Sequence, residues 1–374
     1  QDNNVSDVSG IAGGLAVPGR VAGLPFAFGI ALQMPDSALS YVHARRQEQP
    51  RWELYDARDQ LLFLGATLAI KPASWLAIGG GVGFLSATRG RFRVRGRADI
   101  LSPFDSDLEH EVDADLTAVR FPLLGLRMRH ARWGALAVTY RGQSELDLKI
   151  DADVAGVVDF AGIEVPLHYV LAAHAISAFT PQQLVLGASV ERWRPWAMTF
   201  DITWLNWSAY ESPTAAIAAD LDVDVPAGLP IAVPASPAPT AVVPPAFRNT
   251  LSFRSGIEYA GLVFGSKRVV FGQREALVSF PLRLGYAFDP SPIPPQRGTT
   301  SFLDADRHTV SGGFGATFSA PSDVIRGQLH VDVYGAWSVL PTRVETKSSP
   351  ADFTGDYEAG GQILSVGAGL RLVL

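Results

Sequence analysis

The sequence predicts an all-β protein: a transmembrane antiparallel β-barrel of about 14 strands with long extracellular loops and short periplasmic turns. Three observations predict it. Of the 374 residues 47% are hydrophobic and only 18% are charged, against about 25% charged in an ordinary soluble domain. No apolar run reaches about 18 residues, which excludes a membrane-spanning helix. Apolar residues instead recur at every second position, the period of a strand with one face toward lipid. The 36 Gly and 26 Pro suit short strands and turns, and the absence of Cys excludes disulfides, cysteine metal sites and a thiol nucleophile. A net charge of −6 argues against nucleic acid as a partner. No signal-peptide pattern opens the sequence, as in a mature or a cytosolic chain.

The strands follow in order. Segment 8–17 is the first. In 24–33, Leu24, Phe26, Phe28, Ile30 and Leu32 alternate with Ala27, Gly29, Ala31 and Gln33. In 61–71, Leu62, Leu64, Ala66, Leu68 and Ile70 take one face and Lys71 the other. Segments 75–97, 107–130, 133–153, 163–179, 184–194, 196–206 and 250–259 come next, 163–179 being readable as an extension of the strand after it. In 278–289, Leu282, Leu284, Tyr286 and Phe288 oppose Arg283, Gly285, Ala287 and Asp289. Segments 308–318, 327–337 and 363–374 complete the set. A soluble sandwich also alternates, but its outer face is charged. Here the second face is Gly, Ala, Ser and Thr with an occasional charge, which suits a lumen rather than a soluble surface. Connections 71–75, 130–133 and 194–196 read as periplasmic turns. Those at 34–60, 208–247, 289–307 and 340–362 read as extracellular loops. Residues 1–374 form one barrel domain.

One pattern specifies register. Arg89, Arg91, Arg93, Arg95 and Arg97 share one strand face, and Asp107, Glu109, Glu111, Asp113 and Asp115 share another. Pairing Arg97 with Asp107 in a hairpin sets every arginine opposite a carboxylate, each pair contributing ~0.2–1 kcal/mol. A slip of one residue would turn the charges to the wrong face. The apolar bands 76–84 and 122–130 are each about one bilayer crossing long, so 86–118 stands above the membrane as a charged hairpin extension, a structural ladder rather than a phosphate site. The same register turns Phe121 and Leu123 into the lumen, where apolar side chains suit a greasy cargo better than water.

Residues 202–210 (ITWLNWSAY), 252–259 (SFRSGIEY), 282–295 (LRLGYAFDPSPIPP) and 302–318 (FLDADRHTVSGGFGATF), in that order, resemble the FadL-type outer-membrane transporters of long-chain fatty acids and other hydrophobic compounds. The stretch LAIKPASWLAIGGGVGFL is similar to that family's early turn. The resemblance implies extracellular capture of a hydrophobic ligand, a kinked strand opening sideways to the bilayer, and an N-terminal hatch. The Asn-Pro-Ala hatch signature is missing here, and Leu374 stands where the family ends in an aromatic residue. Either the chain is processed or truncated, or the plug is absent or supplied by a protein partner.

Candidate ligand contacts follow from these readings. The apolar, Pro- and Ala-rich loop 208–247 carries Ile217, Leu221, Leu229 and Ile231 and holds no Lys or Arg, as a capture surface or a lid would. Lumen cations Arg127, Arg129, Arg254, Arg283 and Arg371 could hold an acidic headgroup, or pair with Glu191, Asp201, Glu258 or Asp332. On the lipid side they would cost ~2–4 kcal/mol at midplane. The seven His show no metal spacing, and no Gly-x-Ser-x-Gly accompanies Asp201, His330 and Asp332. The expectation is a monomeric, non-enzymatic bacterial outer-membrane transporter of hydrophobic small molecules, without cofactor, in contact with outer-membrane lipid. A structural barrel binding a partner protein and a general porin are the alternatives.

Overall fold

The computed structural model describes residues 5, 7–36, 50–55, 62–99, 107–160, 163–211, 216–223, 236, 238–239, 244–265, 268–270, 273–275, 277–296, 300–319, 327–347 and 354–373; for 86–99, 107–118, 146–152 and some other strand residues it describes the backbone alone. The first hairpin joins β1 (Gly10–Val21) to β2 (Leu24–Pro35). Its two turn residues, Ala22 and Gly23, have φ of 50° and 82°, the doubly positive turn whose twist matches flanking strands. β3 (Phe63–Ala73), β4 (Leu76–Asp99), β5 (Asp107–His130) and β6 (Gly134–Arg141) continue the wall, each antiparallel to the last. β7 (Ser144–Phe160) runs on from β6 past a break at Gly142 and Gln143, and β8 (Ile163–Thr180) returns beside it. After Pro181, which has no N–H for a ladder, the same strand direction resumes as β9 (Gln183–Val190), paired with β6.

The second half holds β10 (Trp196–Leu205), β11 (Ala216–Val223), β12 (Thr250–Tyr259), β13 (Val263–Phe264), β14 (Arg268–Val270), β15 (Gln273–Glu275), β16 (Val278–Ser279), β17 (Leu282–Asp289), β18 (Arg307–Ser319), β19 (Gln328–Glu345) and β20 (Tyr357–Val373). Segment 278–289 is one strand direction interrupted at Phe280 and Pro281, both parts pairing with β18. Not every connection at the tight-turn end is short. Between β12 and β17 the chain makes a hairpin, β13 with β16 and β14 with β15. Nor is 208–247 all loop, since β11 pairs with β8.

Among the described residues the ladders run β1–β2–β3–β4–β5–β6–β9–β10–β12–β17–β18–β19–β20, thirteen crossings because 163–179 and 184–194 lie along a single strand direction. With an odd number, β1 and β20 run the same way, and no ladder joins them among the described residues. Their outward side chains are correspondingly bare. Val366 and Leu364 are 80% and 77% exposed, against 51% for Leu186 in the middle of the wall.

The outward positions elsewhere carry Phe28, Leu64, Leu68, Leu124, Leu136, Phe200, Ile202, Leu284 and Val333, all exposed. A continuous apolar exterior on a wall of strands is the outside of a lipid-embedded barrel; among the described residues no helix is long and apolar enough to cross a membrane. Trp75, Trp133, Trp193 and Trp196 are exposed at the tight turns, where an aromatic girdle meets the interface.

Beyond the wall, β4 and β5 remain paired up to Arg97 opposite Asp107, with Arg89 opposite Asp115. β7 crosses to the other flank of β4 and pairs with it in parallel, placing Asp151 beside Arg91 and Asp153 beside Arg93. Arg91 and Arg93 of β4 therefore have acidic positions on both flanks. β8 and β11 complete this five-stranded extension.

Candidate functional site: two lumen walls and a capped mouth

The wall from β3 to β6 presents an apolar patch to the lumen. Phe121 and Leu85 are buried, with Phe63, Val119 and Leu123 packed on them. The Phe63 and Phe121 rings stack with centroids 6.1 Å apart. Phe121 lies across Gly83, its cross-strand partner, where a Cβ would sit 2.4 Å from the ring, so any side chain there would push the ring from its seat. Arg141, opposite Leu123, sets its guanidinium 5.5 Å from the Phe121 centroid. Its Nε is buried and has no hydrogen-bond partner among the described residues. A desolvated cation on an aromatic face beside an apolar patch is what an acidic amphiphile would meet.

The wall from β9 to β19 is polar. Arg283 donates through Nε to Glu258 at 2.6 Å and through Nη1 to Asp332 at 2.5 Å. Asp332 is two strands away, and Arg283 reaches it by crossing β18 at Gly315, where a Cβ would meet the Asp332 carboxylate at 2.5 Å. These groups line a cavity of about 550 Å³ with Ser189, Thr199, Gly256, Gly285, Ser311 and Tyr334. Farther out, Asp289 accepts from Arg254 at 3.2 Å and from Arg307 at 2.9 Å.

At the outer end of this polar wall the loops knit a cap. Phe179, Tyr210, Phe247, Ile293 and Phe302 form a buried cluster, with Tyr210 stacked on Phe179 at 4.8 Å and edge-on to Phe247 at 5.4 Å. Residue 51, from the loop after β2, forms a parallel bridge with Phe302. The Tyr210 hydroxyl donates to Glu53 at 2.6 Å. Gln296 takes a donor role to Glu345 through its backbone N–H at 2.8 Å, and its side-chain oxygen accepts from the Phe302 N–H at 3.1 Å. Asp304, also buried, accepts from the Ser291 hydroxyl at 2.5 Å. Burial pushes its carboxyl up to about 6, with the Ser291 bond opposing. Burial, with Asp304 nearby, likewise raises the Tyr55 phenol.

Of the candidate residues, Phe121 and Leu123 lie in the apolar patch, and Arg254 and Arg283 lie in the two ion clusters of the polar wall. Arg129 is 3.6 Å from Glu191, and Arg127 is exposed on the same face. Ile217 and Leu221 lie in β11, described by backbone only, and Leu229 and Ile231 lie outside the described residues. Sequence reasoning did not single out Phe63, Leu85 or Arg141 as parts of one patch, nor Arg51, Glu53, Tyr210 and Asp304 as parts of the cap. The alternation placed Phe63 opposite Leu64 and Leu62, a signal of its inward face, but nothing in the sequence joins it to Phe121.

No family model matches this chain, and no curated protein matches it. Solved structures do. A Pseudomonas aeruginosa FadL homologue matches with a TM-score of 0.53 at 14% identity, over 96% of this chain and 77% of that one. The Pseudomonas putida toluene transporter TodX matches at 0.48 and 14%, over 96% and 82%, and the CymD monoaromatic hydrocarbon channel at 0.44 and 16%, over 97% and 87%. Identities this low speak to fold alone, and only the first similarity is high enough to carry that argument. Together with the apolar exterior and the ladder order, it shows that the chain has the fold of a FadL-type outer-membrane β-barrel.

Proposed function

We propose that the chain, as a single monomeric barrel domain in the outer membrane of a bacterium, passes hydrophobic small molecules across that membrane, long-chain fatty acids among them. The carrying observation is the lumen patch of Phe63, Leu85, Phe121 and Leu123 with Arg141 above it. A water-filled pore gains nothing from buried rings on its inner wall, whereas an acyl chain gains ~0.8 kcal/mol for each methylene it takes out of water. The fatty-acid reading rests on Arg141, whose guanidinium can accept a carboxylate as a bidentate partner. Fold similarity to a FadL homologue supports the class of cargo. No reaction and no cofactor are part of the proposal.

Proteoliposomes offered a labelled long-chain fatty acid, toluene and a small sugar test it. Uptake of the first two without the sugar is expected; passage of the sugar alone overturns the reading. Arg141→Gln should slow fatty acid about tenfold, the equivalent of one charge-assisted bond, and leave toluene unchanged. Equal slowing of both would remove the headgroup role and leave the apolar one.

A further inference from the structure

The lumen-facing residues at the outer ends of β10 and β12 are covered: Thr203 is 3% exposed and Ser252 1%. Farther in on the same strands, Thr199 and Gly256 line the open cavity. The cap therefore stands between that cavity and the outside. It is tied together by residues 50–55, which come from the loop between β2 and β3 but bind the loop between β17 and β18 and the turn after β10. From this geometry we propose that residues 50–55 act as a releasable latch that keeps the outer mouth closed and must detach for cargo to reach the cavity. The proposal rests on the transport reading above.

The latch is a short segment, and Leu54 in it packs on the buried aromatic cluster while the Tyr55 ring lies 6.0 Å from the Arg307 guanidinium. The Arg51 N–H donates to the Ser301 carbonyl at 3.2 Å, and the Leu303 N–H donates to the Arg51 carbonyl at 2.8 Å. Glu53 holds Arg51 at 3.2 Å and accepts from Tyr210 at 2.6 Å. Arg51 also lies 5.0 Å from the Phe302 centroid. By contrast, the 300–303 segment beneath is anchored to the ends of β19 and β20. Gln296 bonds to Glu345, the Tyr357 hydroxyl donates to the Phe302 carbonyl at 3.1 Å, and Lys347 bonds the Thr300 carbonyl. The Gln296 side chain in turn holds the Phe302 N–H. One side of the contact is built into the wall, and the other is a short segment held by Arg51 and Glu53 together with Leu54 and Tyr55. Glu53 links Arg51 to Tyr210, so it is a point at which the latch can be opened or locked.

The chain has no Cys, so introduced thiols are unique. The full-length double variant Glu53→Cys/Tyr210→Cys, reconstituted in liposomes, is to be bridged with a reducible bis-thiosulfonate spanning the two replaced side chains. Uptake of the labelled fatty acid should fall to the level of protein-free liposomes on bridging and return on reduction, with each single-Cys variant unaffected by the reagent. Bridged and reduced protein passing cargo equally would overturn the latch while leaving the transport reading intact. No uptake by the unaltered protein would sink the transport reading first. Independently, Glu53→Ala removes the link between Arg51 and Tyr210 and should raise the uptake rate several-fold; an unchanged or lower rate overturns the latch.

Discussion

The two lumen walls are built from the same backbone and the same alternation, yet a glycine serves opposite ends in each. On the apolar wall Gly83 leaves room for a ring to lie flat over the sheet. On the polar wall Gly315 leaves room for an arginine to cross a strand and reach a second carboxylate. What differs is the neighbour. Phe121 has Leu85 and Phe63 within reach and gains by excluding water, whereas Arg283 has Glu258 and Asp332 and gains only if both ends of its fork are met. A barrel interior of small residues is thus a blank wall on which one long side chain writes the local chemistry.

The largest expected effect comes from breaking the apolar wall. Phe121→Ala empties a buried ring site and should cost ~3–5 kcal/mol, read as the shift in urea unfolding of the protein in lipid vesicles, and should reduce hydrophobic uptake. A cost below ~1 kcal/mol would mean that the ring is not packed as described.

A middle effect tests the capped end of the polar wall. The Asp304 carboxyl has a pKa of about 6 in the folded chain against 3.8 ordinarily. The folded state therefore holds that proton more tightly. Its contribution to stability is complete below pH 3.8 and is lost as pH rises through about 6, a swing of ~3 kcal/mol by linkage. Asp304→Asn, neutral throughout, should melt higher than the unaltered protein above pH 6, and the difference should shrink toward pH 4. A difference independent of pH would remove Asp304 from the account.

The smallest effect sharpens the glycine comparison. Gly315→Ala places a methyl where the Asp332 carboxylate lies and should cost about 1 kcal/mol, because the ion pair it disturbs is partly solvated. In a double-mutant cycle with Asp332→Ala the two costs should not add. Full additivity would mean that Arg283 does not rely on that crossing.

Much of the fold was legible because strand alternation and cross-strand charge are local. The faces of Phe121, Arg254 and Arg283, and the register of Arg89–Arg97 against Asp107–Asp115, follow from parity and the length of one loop. The rest of the site was not, because parity says which face a residue takes and nothing about which distant strand shares it. Parity alone makes Arg141 one inward charge among several on its strand, and its seat over Phe121 depends on β5 and β6 pairing with Leu123 opposite it. The approach of β7 to the free flank of β4 is a parallel contact between strands far apart in order, which no hairpin rule anticipates. The cap is less legible still, since it is assembled from irregular segments of several loops.

By itself, then, the sequence determined the kind of protein: a charge-poor chain of alternating strands whose apolar face must meet lipid, because no other burial is open to it. The tertiary structure decided where the interior is greasy, where it is charged, and where loops cap it. Those depend on side chains brought together across strands and loops, and their energies come from packing and desolvation, which exist only once the strands have paired around them.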